Sequence, residues 1–341
     1  MTLKRIMVFA LVVAMIAAMF AGCAKKEEAP KEEKSASEEA AKEEKPAEKT
    51  HKVAMVLPGP ISDAGWNANA YKGLMEAKDK YGIEVAFSEN VPMSDYEETF
   101  RDYASKGYDL VIGNGFEFGE ICMKVADDFP NTFFAAINGD VTNNKNVVGL
   151  QYKHWEVGYI AGVLAAMMSK SGVIGFVGGW EIPSVSEPEA QYERAAKEIN
   201  PNIKVLSAYT GSWEDVAKGK ELALAQINNG ADVIFHCADA AGTGAIQAAA
   251  EKGVWAIGEA GDQSAIAPDA VLTSVLQESP KVVDKVVGML IDGTLEAKIY
   301  QMGVADGVQG VAPFNKAVPQ EVRDKIKQVI DDLASGKIKE K

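Results

Sequence analysis

The chain has 341 residues, of which 49 are acidic and 35 are basic, so its formal net charge is −14. It contains no strongly basic block, which argues against the Lys- and Arg-rich surfaces that nucleic-acid binding needs. Its three histidines and three cysteines fit neither H-E-x-x-H nor C-x-x-C, and no P-loop pattern is present. We therefore expect no nucleic-acid partner, no metal, no cofactor and no catalytic residues.

The first residues have the pattern of an export signal. Two basic residues precede the apolar run 6–20, which is shorter than the roughly 20 residues of a spanning helix and ends at Ala-Gly followed by Cys23. That ending resembles the lipobox of bacterial lipoproteins. Residues 1–22 are therefore predicted to be a lipoprotein signal peptide, with Cys23 as the lipidated N-terminus. Plain secretion with a chance cysteine is the alternative.

Residues 23–51 are predicted to be a disordered tether. After Cys23 they are almost entirely Lys, Glu, Ala, Pro and Ser, and this composition cannot bury enough apolar surface to offset the entropy of ordering. We expect a protein anchored by lipid on the extracytoplasmic face of the cell membrane. Cys122 and Cys237 lie in apolar surroundings, and we expect two buried free thiols rather than a disulfide.

From residue 53 onward, short β-rich runs alternate with helical stretches, which predicts βαβ units and mainly parallel sheets. The predicted strands are 53–57, 84–87, 110–113, 132–137, 147–150, 173–177, 204–209, 232–236, 255–258 and 271–276. The predicted helices are 64–81, 95–105, 120–128, 155–168, 188–199, 217–228, 243–251 and 279–290. The rhythm breaks near 151–155 and then repeats. We therefore predict an α/β fold with two doubly wound lobes.

Aromatic residues occupy several loops that follow predicted strands. Trp66, Trp180 and Trp213 lie on three such loops, and Phe116 lies on a fourth. Ligands of doubly wound sheets bind at the carboxyl ends of strands, so these rings favour a planar or apolar ligand. Each ring has core packing as its alternative.

Polar residues on the same set of loops are candidate ligand contacts. Asp63 and Asn67 flank Trp66, although Asp63 is equally placed to cap the following helix. Carboxylates that could accept hydrogen bonds from ring N–H, amino or hydroxyl groups follow other strands. They are Asp140, Asp239 and Glu259.

Two histidines and two further tryptophans have other interpretations. His236 ends an apolar strand and His154 lies near the break between lobes, and local hydrogen bonding is favoured over catalysis for both. Trp155 and Trp255 lie inside a helix start and a strand, so we interpret them as core residues.

Several short motifs together resemble the BMP (basic membrane protein) family of substrate-binding lipoproteins of ABC importers. They lie at 62–67, 145–147, 175–179, 182–183, 209–213, 219–221 and 272–275. The resemblance covers the body from residue 53 to about residue 314. It implies a type I periplasmic-binding-protein fold, with two doubly wound parallel-sheet lobes, three hinge crossovers and a ligand cleft between the lobes.

The same resemblance implies a division of the chain between the lobes. The N-lobe is predicted to comprise 52–152 plus 277–305, and the C-lobe 153–276 plus 306–341. Crossovers are expected near 152–155, 276–278 and 302–308. The implied partners are a small-molecule ligand and the permease subunits of an ABC transporter, with a monomeric body.

Nucleoside-binding members of the family imply specific site residues. Trp66 stands where those relatives place a stacking Phe, and Asp63 and Asn67 correspond to their base-recognising Asp and Asn. Gln277 stands where a ribose-gripping Lys is expected, and Ala260 where its partner Asp is expected.

A second stacking Phe of those relatives is also missing. Pro188 aligns at its position, and Trp180 or Trp213 could supply that ring face instead. With the charged ribose clamp lost or rebuilt, the chain resembles relatives that bind a bare base or an altered nucleoside.

These features lead to one functional hypothesis and two alternatives. The leading hypothesis is a lipid-anchored ABC importer component that captures a purine base or nucleoside, with an adenine-like ligand favoured. The first alternative keeps the fold but binds a different small solute or serves a sensory receptor. The second is an extracellular nucleoside-processing enzyme, for which the sequence offers no convincing general acid or base.

Overall fold

The computed structural model describes residues 50–62 and 65–341, which form two six-stranded sheets. The predicted signal peptide, the lipidated Cys23, nearly all of the tether and the candidate residue Asp63 lie outside the described residues. Within the described ranges, no helix combines the length and the apolar character that crossing a membrane requires.

The first sheet is entirely parallel, with strand order β11-β5-β4-β3-β1-β2. Val53 and Met55 of β1 face one core, and Ala54 and Val56 face another, because successive side chains of a strand point to opposite faces. The strands are β1 (Lys52–Val56), β2 (Glu84–Ser88), β3 (Leu110–Asn114), β4 (Phe133–Ile137), β5 (Val147–Tyr152) and β11 (Ile299–Met302). Helices α1 (Trp66–Tyr81) and α8 (Ser279–Ile291) cover one face, and α2 (Tyr96–Ser105) and α3 (Phe118–Val125) cover the other.

The second sheet repeats the design, with strand order β12-β10-β9-β8-β6-β7. Its strands are β6 (Val173–Gly178), β7 (Lys204–Tyr209), β8 (Val233–Cys237), β9 (Trp255–Ala260), β10 (Val271–Gln277) and β12 (Gln309–Val311), and β12 pairs antiparallel to β10. One face is covered by α4 (His154–Met168), α5 (Pro183–Ile199) and α9 (Gln320–Ala334), and the other by α6 (Val216–Asn228) and α7 (Asp239–Lys252). The two sheets confirm the predicted α/β fold of the type I periplasmic-binding class.

The chain passes between the two sheets three times, after β5, after β10 and after β11. Hydrogen bonds join these connections to one another. The Tyr152 hydroxyl donates to Ser279 Oγ at 3.2 Å, which links the first passage to the second. The Val304 N–H donates to the buried Glu156 carboxylate at 2.6 Å, which links the third passage to the first. The three connections between the sheets therefore lie side by side.

The fifth helix starts earlier than predicted. It begins at Pro183 rather than at Pro188, and Pro188 lies buried inside it. Pro188 is accommodated by close packing on α4, where a Cβ on Gly158 would overlap the Pro188 backbone. The Gly- and Ala-rich α4 is thus packed as closely as its composition indicated.

Three elements near the C-terminus were not predicted. Strands β11 and β12 have four and three residues, too few to show an alternating pattern. Helix α9 does carry an apolar stripe, because its buried residues are Val322, Ile326, Val329 and Leu333.

The structure tests the predicted burial of the two cysteines and of Trp155 and Trp255. Cys122 and Cys237 are both free and buried, as predicted. Trp155 is buried in the core between the second sheet and helices α4, α5 and α9, whereas Trp255 is only partly buried against that core.

Candidate functional site

A cavity of about 430 Å³ opens at the carboxyl ends of the strands of both sheets. Both sheets have the strand order of doubly wound folds, and ligands of such folds bind at these ends. The lining comes from the loops after β1, β3 and β4, from those after β6 to β9, and from the connections between the sheets. It consists of Pro58, Gly59, Pro60, Trp66, Asn67, Gly115, Phe116, Glu117, Asn138, His154, Ile182, Ser184, Val185, Trp213, Glu214, Cys237, Asp239, Ala240, Glu259, Ala260 and Gln277.

Trp66 is held rigidly on the wall that belongs to the first sheet. Its indole Nε1 donates to the backbone oxygen of Asn114 at 3.0 Å, and its ring meets Tyr152 edge-on with centroids 6.3 Å apart. The Asn114 side chain donates to Asn67 Oδ1 at 3.1 Å. The strand-end residue Asn114 therefore orients both neighbouring lining residues.

Trp213 lies on the opposite wall, in the loop after β7. A Cβ on Gly179 would overlap the Trp213 ring, so the absence of a side chain at Gly179 is what lets the ring lie against that backbone. The Trp213 carbonyl also accepts from the Ala241 N–H at 2.8 Å. Phe116 supplies a third ring and is 54% exposed. Three aromatic side chains thus line one cavity.

The charged groups of the lining are all carboxylates: Glu117, Glu214, Asp239 and Glu259. Within residues 50–62 and 65–341, no Lys or Arg is part of it. Burial, assisted by the charge of Asp239, raises the pKa of Glu259 to about 8. Burial also raises the pKa of Glu117. The cavity therefore disfavours anionic groups and suits neutral or cationic ones.

Glu259 is hydrogen-bonded across the second sheet. Gln277 Nε2 donates to Glu259 Oε1 at 2.7 Å. Because its raised pKa leaves Glu259 largely protonated at neutral pH, this carboxyl can donate a hydrogen bond as well as accept one.

Backbone strain is concentrated around the cavity. Of the five non-glycine residues with positive φ in the described chain, Asn138, Asp239 and Ala260 belong to the lining, with φ of 64°, 49° and 63°. Asn and Asp tolerate this region, whereas Ala pays roughly 1–2 kcal/mol for it. Strain of this kind is typical of functional sites.

Several lining residues were not selected from the sequence as ligand contacts, among them His154 and Asn138. His154 is 4% exposed, and burial lowers its pKa to about 4, so its ring is neutral at pH 7. Asn138 directly follows β4, in the loop from which Asp140 was chosen instead. The only signal in the sequence was position, since both residues immediately follow strand ends or a passage between sheets.

Most of the predicted site residues lie in this cavity. The structure brings together Trp66, Asn67, Phe116, Trp213, Asp239, Glu259 and Gln277. It does not place Asp140 or Trp180 in the lining: Asp140 is exposed, and Trp180 is 48% exposed. Pro188 is also outside the lining, in the interface between α4 and α5.

Across the part of the chain that the structure describes, no group of His, Cys, Asp and Glu residues is arranged to hold a metal ion. His236 lies outside the lining and its Nε2 is hydrogen-bonded to Gln263 Oε1 at 2.8 Å, in agreement with the local role predicted for it.

Three relatives show what the chain is similar to. The transcriptional activator protein Med of Bacillus subtilis (strain 168) is 30% identical over 284 residues, which are 83% of this chain and 88% of that protein. A purine-binding protein of Brucella abortus (strain 2308) is 33% identical over 298 residues, 86% of this chain and 83% of that protein. The ABC transporter nucleoside-binding protein BmpA of Lactococcus lactis (strain MG1363) is 29% identical over 301 residues, 82% of this chain and 85% of that protein.

A solved structure supports the fold. The solute-binding protein of an ABC transporter system from Aeropyrum pernix K1 superposes with a TM-score of 0.74 at 20% identity, covering 85% of this chain and 92% of that one. The Bmp family, described as ABC transporter substrate-binding protein PnrA-like, matches residues 50–340. The chain therefore belongs to the Bmp family of PnrA-like ABC transporter substrate-binding proteins.

Proposed function

We propose that the protein captures a purine base or nucleoside, with an adenine-like ligand favoured, as the extracytoplasmic solute-binding lipoprotein of an ABC importer. The observation that carries the proposal is the combination of three aromatic rings and four carboxylates around one cavity without a lining Lys or Arg in the described chain. A planar, N–H-bearing and uncharged ring system matches both properties.

Aromatic stacking is the first part of the proposed recognition. Trp66 and Trp213 come from opposite sheets, and each ring is fixed by its own surroundings, Trp66 by Asn114 and Trp213 by the Gly179 backbone. Rings that are already ordered lose little entropy when a base stacks on them. Stacking of a base on an aromatic side chain contributes about 1–3 kcal/mol.

Hydrogen bonding to the base edge is the second part. Asp239 offers acceptor oxygens for an amino group or ring N–H, and the largely protonated Glu259 can donate to a ring nitrogen. Asn67 offers an amide that both donates and accepts. The Brucella relative is named a purine-binding protein and the Lactococcus relative a nucleoside-binding protein, which supports the same ligand class.

The carboxylates also define what the cavity rejects. A phosphate would approach the carboxyl groups of Glu117, Glu214 and Asp239 without a lining cation to neutralise it. We therefore propose that bases and nucleosides bind and that nucleotides do not.

The N-terminal segment completes the proposed function. We propose that lipidated Cys23 anchors the chain to the membrane that holds the permease subunits. A monomeric body that closes on its ligand by hinge motion between the sheets then meets those subunits. The proposed role is capture without catalysis.

The test is calorimetric titration of the full chain with adenine, adenosine, guanosine, inosine and AMP. We expect saturable binding of at least one base or nucleoside and none of AMP. Trp66→Ala should weaken that binding by about 1–3 kcal/mol if its ring stacks on the base. Trp180→Ala is the matched control, because Trp180 is a half-exposed tryptophan outside the lining. The Trp180→Ala variant should bind the purine with the affinity of wild type. No binding of any purine at millimolar concentration would overturn the proposal.

A second candidate function keeps the fold and the cavity but makes the protein a ligand receptor that signals. The name of the Bacillus subtilis relative, a transcriptional activator protein, favours it. Uptake of labelled purine by cells with and without the gene separates the two roles. Transport is contradicted if uptake is the same in both.

A further inference from the structure

We infer that His154 and Asn138 form a second recognition point in the cavity, which binds a ligand group that places a hydrogen-bond donor beside an acceptor. A sugar hydroxyl and the amino edge of a base both have this chemistry. The inference rests on the proposed function and adds to it a contact that neither the rings nor the carboxylates supply.

The unpartnered polar atoms of the two residues are the main observation. In the residues that the structure describes, six buried side-chain N or O atoms lack a hydrogen-bond partner, and they belong to His51, Asn114, Asn138, His154, Gln226 and His236. Only Asn138 Oδ1 and His154 Nδ1 belong to residues of the cavity lining. An unsatisfied buried polar atom is costly, so such atoms are normally paired. Because both residues line the cavity, a ligand bound there can supply the missing partners.

Two other polar groups of the lining have partners within the protein. Trp66 Nε1 donates to Asn114, and Gln277 Nε2 donates to Glu259. The unpartnered atoms of Asn138 and His154 therefore differ from these two groups.

The positions of the two residues bring them to the same end of the cavity. The Asn138 N–H donates at 2.8 Å to the carbonyl of Leu150 in β5, the strand that leads into the first passage between sheets. His154 begins α4 immediately after that passage, and its ring lies edge-on to Tyr152 with centroids 6.0 Å apart. Both side chains thus lie where the two sheets are connected.

The chemistry of the two atoms defines the group they can bind. Asn138 Oδ1 only accepts, so the ligand must present an N–H or O–H there. His154 is neutral, so one of its ring nitrogens donates and the other accepts, and Nδ1 can complement either polarity. A hydroxyl satisfies both residues, and so does an amino group beside a ring nitrogen.

The backbone conformation at Asn138 provides a clean variant. Asn138 has a φ of 64°, which Asn tolerates and Gly adopts without strain. Asn138→Gly therefore removes the amide without displacing the loop. His154→Leu removes both ring nitrogens and keeps an apolar side chain of similar bulk.

The test measures the affinity of the full-length wild type and both variants for four ligands. Adenosine carries both candidate groups, adenine lacks the sugar, 2′,3′-dideoxyadenosine lacks the sugar hydroxyls, and purine riboside lacks the amino group. We expect each variant to bind adenosine about tenfold more weakly than wild type. An analogue that binds wild type and variants equally lacks the group that Asn138 and His154 bind, and so identifies that group.

Gln226→Leu is the matched control. Gln226 Oε1 is equally buried and unpartnered, but it lies in α6 outside the cavity, so its loss should leave every affinity unchanged. In wild type, the NMR shift of His154 Nδ1 should also change on addition of adenosine, a readout that does not depend on folding of a variant.

The test distinguishes failure of the proposed function from failure of the inference about His154 and Asn138. If wild type binds no purine, the proposed function fails and this inference fails with it. If wild type binds but the His154 resonance stays unchanged, or the variants lose affinity equally for all four ligands, the recognition point alone is wrong.

Discussion

The two walls of the cavity are built on different principles. The wall from the first sheet presents Trp66 and Asn67, both oriented by hydrogen bonds to Asn114 before any ligand arrives. The wall from the second sheet presents Asp239 and Glu259, whose mutual repulsion adds to the effect of burial on the pKa of Glu259. Hydrogen bonds to Asn114 thus order Trp66 and Asn67 on the first wall, whereas the close approach of Asp239 and Glu259 gives the second wall an electrostatic cost. We expect a ligand N–H group that binds there to reduce this cost.

The largest expected effect concerns Glu259 and the pH dependence of stability. The pKa of Glu259 is raised from 4.5 to about 8 in the folded protein, so its stabilising contribution is complete below pH 4.5 and is lost as pH rises through 8. Glu259→Gln should remove this loss, and the variant should gain about 4 kcal/mol on wild type between pH 5 and pH 9. Urea denaturation at both pH values measures the difference.

The control for this measurement is Glu214→Gln, since Glu214 is an exposed carboxylate of the same cavity. The gain of Glu259→Gln is measured relative to this control. Parallel pH profiles for wild type and Glu259→Gln would show that the two walls do not differ in electrostatic cost.

A smaller effect is expected from Gly179→Ala. The added Cβ would overlap the Trp213 ring and displace it, so we expect purine affinity to fall about tenfold, which corresponds to about 1.4 kcal/mol. Gly310→Ala is the matched control, because no atom lies within 4 Å of a Cβ at that position. Calorimetry compares the two variants, and equal affinities would remove Trp213 from the account of binding.

The smallest effect is expected from Ala260→Gly. Ala260 has a φ of 63°, so glycine should relieve backbone strain and raise the free energy of unfolding by about 0.5 kcal/mol, after its larger chain entropy is included. Ala256→Gly, in the same strand but without positive φ, should instead lower it, because Ala256 is buried in the core. Thermal unfolding should show a higher stability for Ala260→Gly and a lower stability for Ala256→Gly than for wild type. A loss of stability in both variants would argue against backbone strain at Ala260.

The fold could be predicted from the sequence because its signal is local. Strands such as 110–113 and 204–209 are short apolar or alternating runs between turn residues, and the structure has β3 at Leu110–Asn114 and β7 at Lys204–Tyr209. Pro188 misled the start of α5, because its tolerance inside a helix depends on Gly158 of another helix.

The cavity was predictable only to the level of its loops. Trp180 and Trp213 both follow strand ends, but only Trp213 is turned toward the cavity, where Gly179 leaves room for it. Asp140 and Asn138 share one loop, but only Asn138, which has a positive φ, belongs to the lining. Side-chain direction in a loop depends on tertiary contacts that are distant in sequence.

The most direct test of the central claim is to identify the solute that the full chain retains when it is purified from native membranes under non-denaturing conditions. Mass spectrometry of the released solute should find a purine base or nucleoside without a phosphate group. A retained solute that lacks a purine ring, or one that carries phosphate into a cavity lined by four carboxylates, would contradict the account.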